Sequence, residues 1–231
     1  MLWPYYLRAM CGRFSLTKNE AELEDRFGAK FYSKDLIKRY NVAPSQLALV
    51  LASNKPSEFQ FFKWGLVPSW AKDPSIGNKM INARVESLTE KPSFKNLINR
   101  KRCMVISDGF YEWRNVNGKK KPVRITLKDD SVFAMAGLWD EWMDPIHKTP
   151  TFTFTIITVP ANDMIATIHD RMPAILPMSS EHDWLDLKPV SELDHPYPGN
   201  QMNLFPVSDQ LNSPANDSPE LIKPIDNLFS S

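Results

Sequence analysis

The chain has 231 residues, with 28 Lys and Arg against 27 Asp and Glu, for a formal net charge of +1. That balance excludes whole-molecule attraction to nucleic acid, so any nucleic-acid site must be a local patch. Hydrophobic content of 42% and charged content of 24% are ordinary for a globular chain long enough to bury one sizeable core.

The first ten residues, MLWPYYLRAM, are apolar and aromatic. They lack a basic leading region, and Pro4 interrupts a run too short for a signal sequence. Residues 1–10 are therefore expected to be an N-terminal extension, either a start placed too far upstream or a removed propeptide. Residues 11–231 form the domain. No stretch approaches the ~20 apolar residues of a membrane helix. Two cysteines, Cys11 and Cys103, allow one disulfide but no framework, and a reducing cytosol is the simpler compartment.

Thr17 and Glu20 have the spacing of a capping box. Leu23 and Phe27 follow one turn apart and Gly28 is placed to end the helix, so a helix is predicted over 18–27. Strand signals then dominate. LALVLA (47–52) and EFQFFKWGLV (58–67) flank an Asn-Lys-Pro turn. CMVISDGFYEW (103–113) and PVRITL (122–127) flank Asn117-Gly118, a hairpin signal. SVFAMAGLW (131–139) and TFTFTIITV (151–159) follow, the latter alternating as a half-buried strand does. Short helices are predicted near 162–168 and 180–186. The tail from 188, rich in Pro, Ser and Asn, reads as extended loop. With 19 prolines and 8 glycines, the pattern gives an α+β class: one domain, mainly antiparallel β-strands with a few short helices.

Four stretches place polar residues where a fold would otherwise be apolar: CGRF (11–14), INAR (81–84) followed by Val85-Glu86, DGFYEW (108–113) and IHDRMP (168–173). Singly, each has an ordinary explanation. A free cysteine is among the most buried residue types, a glutamate beside aromatics is commonly a surface carboxylate, and a lone histidine is commonly structural. There is no CxxC, HExxH or glycine-rich phosphate loop, so neither metal nor cofactor is expected. Basic residues cluster at 99–102 and 119–121, each equally readable as a solvated loop or a patch.

Taken in order, CGRF, YNVAP (40–44), WGLVPSW (64–70), INARVES (81–87), DGFYEW and IHDRMP resemble the SOS-response-associated peptidase (SRAP) family, or abasic-site-processing proteins. The resemblance runs from Cys11 to about Pro224. It implies a single SRAP-like domain and covalent capture of abasic sites in single-stranded DNA during the DNA damage response. An N-terminal cysteine offers an amine and a thiol on adjacent carbons. The amine forms a Schiff base with the opened sugar's aldehyde, and the thiol closes a thiazolidine. An internal cysteine has no such amine. In free solution the two groups ionise at roughly 7.7–8.0 and roughly 8.5, so both are expected to be partly reactive near neutrality.

By the same resemblance Cys11 is the nucleophile, Asn82 orients it and the sugar, Glu112 relays protons at the amine, and His169 acts as acid or base. Arg84 and Arg13 contact phosphate, and Pro44 and Trp70 are apolar platforms beside bases. Autoproteolytic exposure of Cys11, a weak lyase activity, a cytoplasmic, nucleoid-associated location and a monomeric state are the accompanying expectations. Two other functions compete: a thiol peptidase using Cys11 and His169 on protein substrates, and a non-covalent single-strand binder.

Overall fold

Two β-systems, back to back, divide the strands. The fold comes from a computed structural model that describes residues 11–32, 36–189 and 191–225; the expected 1–10 extension lies outside them. The first system is a five-stranded antiparallel sheet. It is built from β1 (Phe14–Leu16), β2 (Arg39–Val42), β7 (Gly109–Val116), β8 (Lys119–Leu127) and β12 (Met202–Pro206), in the order β12-β8-β7-β1-β2. The second uses β3 (Leu47–Ala52), β4 (Lys55–Trp64), β6 (Arg102–Ser107), β9 (Phe133–Met143) and β10 (Pro150–Pro160). Here β10 pairs with β9 on one edge and β4 on the other, and β4, β3, β6 and β9 pair in succession. The five strands thus close into a small barrel, which leaves no open edge among them.

Two short strands extend this barrel at the C-terminal end of β10. Strand β5 (Asn82–Arg84) lies parallel to it, with Ile156 opposite Asn82 and Thr158 opposite Arg84. Strand β11 (Arg171–Pro173) lies antiparallel on the other edge, with Thr158 opposite Pro173 and Pro160 opposite Arg171. The pairings of β10 with β4 and β5 are parallel, exceptions to the antiparallel expectation.

Aromatic side chains fill the space between the systems. Phe14 meets Trp64 with ring centroids 5.1 Å apart, and Phe110 meets Phe133 edge-on at 6.5 Å. A smaller core of Tyr111, Val207, Leu211 and Leu221 lies on the other face of the first sheet.

The predicted elements recur with instructive shifts. The first helix, α1 (Glu20–Phe27), is capped by Asn19, whose side chain accepts from Glu22 N–H while Glu22 answers to the Asn19 N–H. The capping box therefore begins two residues later than Thr17. Stretch 103–113 is not one strand. It breaks at Asp108, because β6 belongs to the barrel and β7 to the sheet. At that corner the buried Asp108 carboxylate accepts from Ser15 Oγ, from the N–H and hydroxyl of Thr17, and from Arg124. A Cβ on Gly109 would stand 2.8 Å from Arg124 Nε, so glycine is what admits the guanidinium. Asn117 and Gly118 both take positive φ, 50° and 77°, as a two-residue hairpin of primed type requires. Helices α2 (Asp163–Ala166) and α3 (Met178–Leu185) fall where expected. The tail is not loop throughout: β12 adds an edge strand to β8.

Candidate active site around Cys11

Cys11 is carried to the sheet by the strand that follows it. β1 pairs with β7 with Phe14 opposite Phe110, and Tyr111 N–H donates to Arg13 O at 3.0 Å. Continued toward the N-terminus, this register brings Cys11 alongside Glu112. The Cys11 backbone nitrogen donates to Glu112 Oε1 at 2.8 Å, and both residues are buried. Alternation along β7 explains the burial. Tyr111 and Trp113 face the small core, so Phe110 and Glu112 face the barrel.

Burial dominates the protonation of this pair. It pushes the Glu112 carboxyl up to about 8, against opposing help from the Cys11 N–H and from Lys120, while the Asp170 charge adds to the rise. It also drives the Cys11 thiol well above its usual value, and the Glu112 charge adds to that. The expectation of a partly ionised thiol near neutrality is therefore overturned for this buried state: a thiolate with no water around it is costly. Cys11 also has φ of 40°, a left-handed conformation that costs a non-glycine residue about 1–3 kcal/mol.

The other motifs converge through β10. Residues opposite one another in neighbouring strands project to the same face. Asn82, Arg84, Arg171 and Pro173 thus share the face of Ile156 and Thr158. Phe154, on that same face, stacks on Trp64, which touches Phe14 of the first sheet. This face therefore looks toward the sheet that carries Cys11. Among the described residues, Asn82 Nδ2 and Thr158 Oγ1 are buried there without hydrogen-bond partners. The WGLVPSW stretch sets the height of β5: Trp64 Nε1–H donates to Ile81 O at 2.9 Å, and Leu66 N–H to Met80 O at 3.1 Å. Gly65 has φ of 120°, and a Cβ there would lie 2.7 Å from Gly77 O, so the two ends of the connection from β4 to β5 meet backbone to backbone.

His169 is half-buried just before β11. Its Nδ1 accepts from Arg171 N–H at 3.1 Å and lies 3.0 Å from Asp170 Oδ1. The Asp170 charge also contributes, least of the causes, to the raised Glu112 carboxyl. Arg84 is exposed at the end of β5. Trp70 is 60% exposed, on a loop tied down by Ser69 N–H to Asp140 and by Trp142 Nε1–H to Ala71 O. Pro44 is half-buried. Arg13 is engaged within the fold: its guanidinium donates to Asn41 Oδ1 at 2.9 Å and Leu211 O at 2.8 Å and lies over the Trp113 ring.

The first basic run is also engaged. Arg102 is buried against Trp184 and donates to Ile98 O and Lys188 O, and Lys101 pairs with Asp140. In the second, Lys121 pairs with Asp209, while Lys119 and Lys120 stay exposed. Both cysteines are free thiols. Among the described residues, His182 and Asp183 of α3 and Asp186 just past its end could converge on a metal, but Lys188 already contacts both carboxylates.

Residues 10–214 match the family described as SOS response associated peptidase (SRAP). The chain belongs to the SRAP family. It is 42% identical over 223 residues to the abasic site processing protein YoqW of Bacillus subtilis, covering 93% of this chain and 99% of that one. It is 34% identical to the abasic site processing protein HMCES of Gallus gallus, covering 94% and 78%. A crystal structure of a protein from Bacteroides thetaiotaomicron has the same SRAP fold, with a TM-score of 0.83 at 31% identity over 93% of this chain and 100% of that one. Among the described residues no helix is long and apolar enough to cross a membrane.

Three residues of this SRAP site had no role assigned from sequence. Arg171 and Glu86 were inside quoted motifs, but nothing in the string says that they pair. Thr158 looked like one more polar position in an alternating strand; Thr155 shares its orphaned hydroxyl, and what sets Thr158 apart is its place opposite both Arg84 and Pro173.

Proposed function

We propose that this protein processes abasic sites in single-stranded DNA by covalent capture through Cys11 as the N-terminal residue of the mature chain. The observation that carries this is the 2.8 Å contact between the Cys11 nitrogen and a buried Glu112 whose carboxyl is raised to about 8. That arrangement serves the nitrogen, not the sulfur. A thiol peptidase needs a thiolate, and burial here opposes one. The names of the relatives, abasic site processing proteins, support the same substrate.

The freed amine attacks the sugar's C1 aldehyde, and loss of one water gives the imine. The thiol then adds to the imine carbon: a C–S bond forms, the C=N π pair moves to nitrogen, and nitrogen takes the proton that sulfur loses. Glu112, titrating near neutrality, ferries protons at that nitrogen. Asn82 and Thr158 hydrogen-bond the opened sugar with the atoms now orphaned. His169 serves the departing or arriving oxygen, Arg84 binds a flanking phosphate, and Trp70 and Pro44 support bases by stacking. Arg13 acts by holding the segment before β1 rather than by a free guanidinium. When the chain begins at Cys11, its φ no longer exists, and the strain at that residue disappears with it. In a chain that carries a preceding segment, this strain favours cleavage before Cys11.

Intact mass spectrometry tests the proposal. A chain beginning at Cys11, mixed with an abasic single-stranded oligonucleotide, gains the oligonucleotide mass less one water, and Cys11→Ala gains nothing. An unchanged mass for the Cys11-initiated chain refutes capture. Turnover of peptides by the full chain with no DNA adduct favours the peptidase.

A further inference from the structure

Glu86 lies outside the Cys11 pocket, yet it makes a close-set contact toward it. It sits in the single turn after β5 (Val85–Ser87), on one edge of β10. Arg171 opens β11 on the other edge. Its guanidinium reaches across the strand to Glu86 as a two-point fork, Nη1 to Oε1 at 2.5 Å and Nη2 to Oε2 at 2.9 Å, and Nη2 also donates to Thr158 O at 2.6 Å. The Arg171 side chain is 9% exposed and that of Glu86 54%. An exposed carboxylate chosen only for solubility has no need of a buried fork. This one locks three strands together at the residue where β11 begins.

What β11 begins with is the N–H that faces His169. The Nδ1 of His169 has two neighbours with opposite demands. Arg171 N–H, at 3.1 Å, needs a lone pair on Nδ1. Asp170 Oδ1, at 3.0 Å, accepts and therefore favours a proton on Nδ1. In neutral histidine the partner of one ring nitrogen decides which nitrogen carries the proton. Where Arg171 N–H holds Nδ1, the proton resides on Nε2, and the ring presents a donor at its far edge. Where Asp170 prevails, Nε2 presents a lone pair instead.

We propose that Glu86 is a positioning residue: by clamping Arg171 it keeps the Arg171 N–H on His169 Nδ1 and so holds neutral His169 as the Nε2–H donor. This rests on the capture reading for its kinetic consequence but not for its structural one.

The test therefore has two arms. In the first, without DNA, ¹⁵N ring shifts of His169 are recorded at alkaline pH in the wild type, Glu86→Ala and Glu86→Asp. The wild type shows a protonated Nε2, Glu86→Ala shows a mixture of tautomers, and Glu86→Asp returns toward the wild-type pattern. In the second, rates of adduct formation are measured for Glu86→Ala, His169→Ala and the double variant, with single-strand affinity measured alongside. Glu86→Ala slows capture by about tenfold, less than the ~10²–10⁴ that a positioned acid–base group contributes because part of the population keeps the donor tautomer, with affinity unchanged. In the His169→Ala background it adds nothing, because both changes remove one function. An unchanged tautomer in Glu86→Ala overturns the proposal, as does an equal loss in both backgrounds. If the wild type forms no adduct, the capture reading fails while the first arm still decides the tautomer.

Discussion

Replacing Glu112 by Gln tests the electrostatics of the pocket without DNA. In the full 231-residue chain, where the Cys11 nitrogen is an amide, the carboxyl rises from 4.5 to about 8 on folding, chiefly through burial. A carboxyl raised in the folded state binds its proton more tightly there than in the unfolded chain. Below about pH 4.5 it is protonated in both states and folding is indifferent to it. As pH rises toward 8 the unfolded chain releases the proton and the folded chain does not, so stability falls across that window and levels off above it. At about 1.4 kcal/mol per pH unit, the gap is worth at most about 5 kcal/mol, of which roughly 3 kcal/mol is lost between pH 5 and pH 8. Gln keeps the shape and can accept from the Cys11 N–H through its carbonyl, but it does not titrate. Denaturation in urea at pH 5, 6, 7 and 8 should show the wild type losing stability relative to Glu112→Gln, with the two curves converging at the acid end. Other titrating groups cancel in the difference. Parallel curves for the two proteins would mean that Glu112 is solvated, and the argument for a proton-ferrying carboxyl would fall with them.

Further substitutions probe the framework. Asp108→Ala leaves the buried Arg124 without its charge partner and strips bonds from Ser15 and Thr17; chemical denaturation should show a loss of about 3–5 kcal/mol. Gly65→Ala puts a methyl 2.7 Å from Gly77 O at a φ of 120°; a loss of about 2–4 kcal/mol is expected, and fluorescence of the exposed Trp70 should report a loosened loop. Thr158→Val removes an unpartnered hydroxyl at nearly constant volume. Stability should hold or rise by a few tenths of a kcal/mol, while adduct formation slows. A fall in both would make Thr158 structural.

Much of the fold was legible because its strands obey local rules. LALVLA (47–52) has the observed boundaries of β3, and the Asn117-Gly118 turn names its own hairpin. What local pattern could not show is which sheet a strand joins. Nothing in CMVISDGFYEW marks a change of partner at Asp108; that depends on Ser15, Thr17 and Arg124 arriving from elsewhere to satisfy one carboxylate. The capping box moved for a related reason. Thr17 had the spacing but is committed to Asp108, and Asn19 took the cap. In the site, Cys11, Glu112, Asn82 and His169 stood out because their motifs are distinctive. The Glu86–Arg171 fork spans 85 residues of sequence and exists only because β5 and β11 flank the same strand.

The pocket's protonation also bears on the order of events in the proposed capture. Burial raises both Glu112 and Cys11 Sγ, so the resting site holds protons rather than releasing them. Such a site suppresses thiol chemistry until something changes the charge beside sulfur. Imine formation does that: a protonated imine on the Cys11 nitrogen is a cation adjacent to both groups, which favours their ionised forms. The thiol is then deprotonated where an electrophilic carbon has just appeared next to it. On the proposed capture route, amine first and sulfur second thus follows from the burial itself, and a cysteine unreactive in the resting protein would still close the ring.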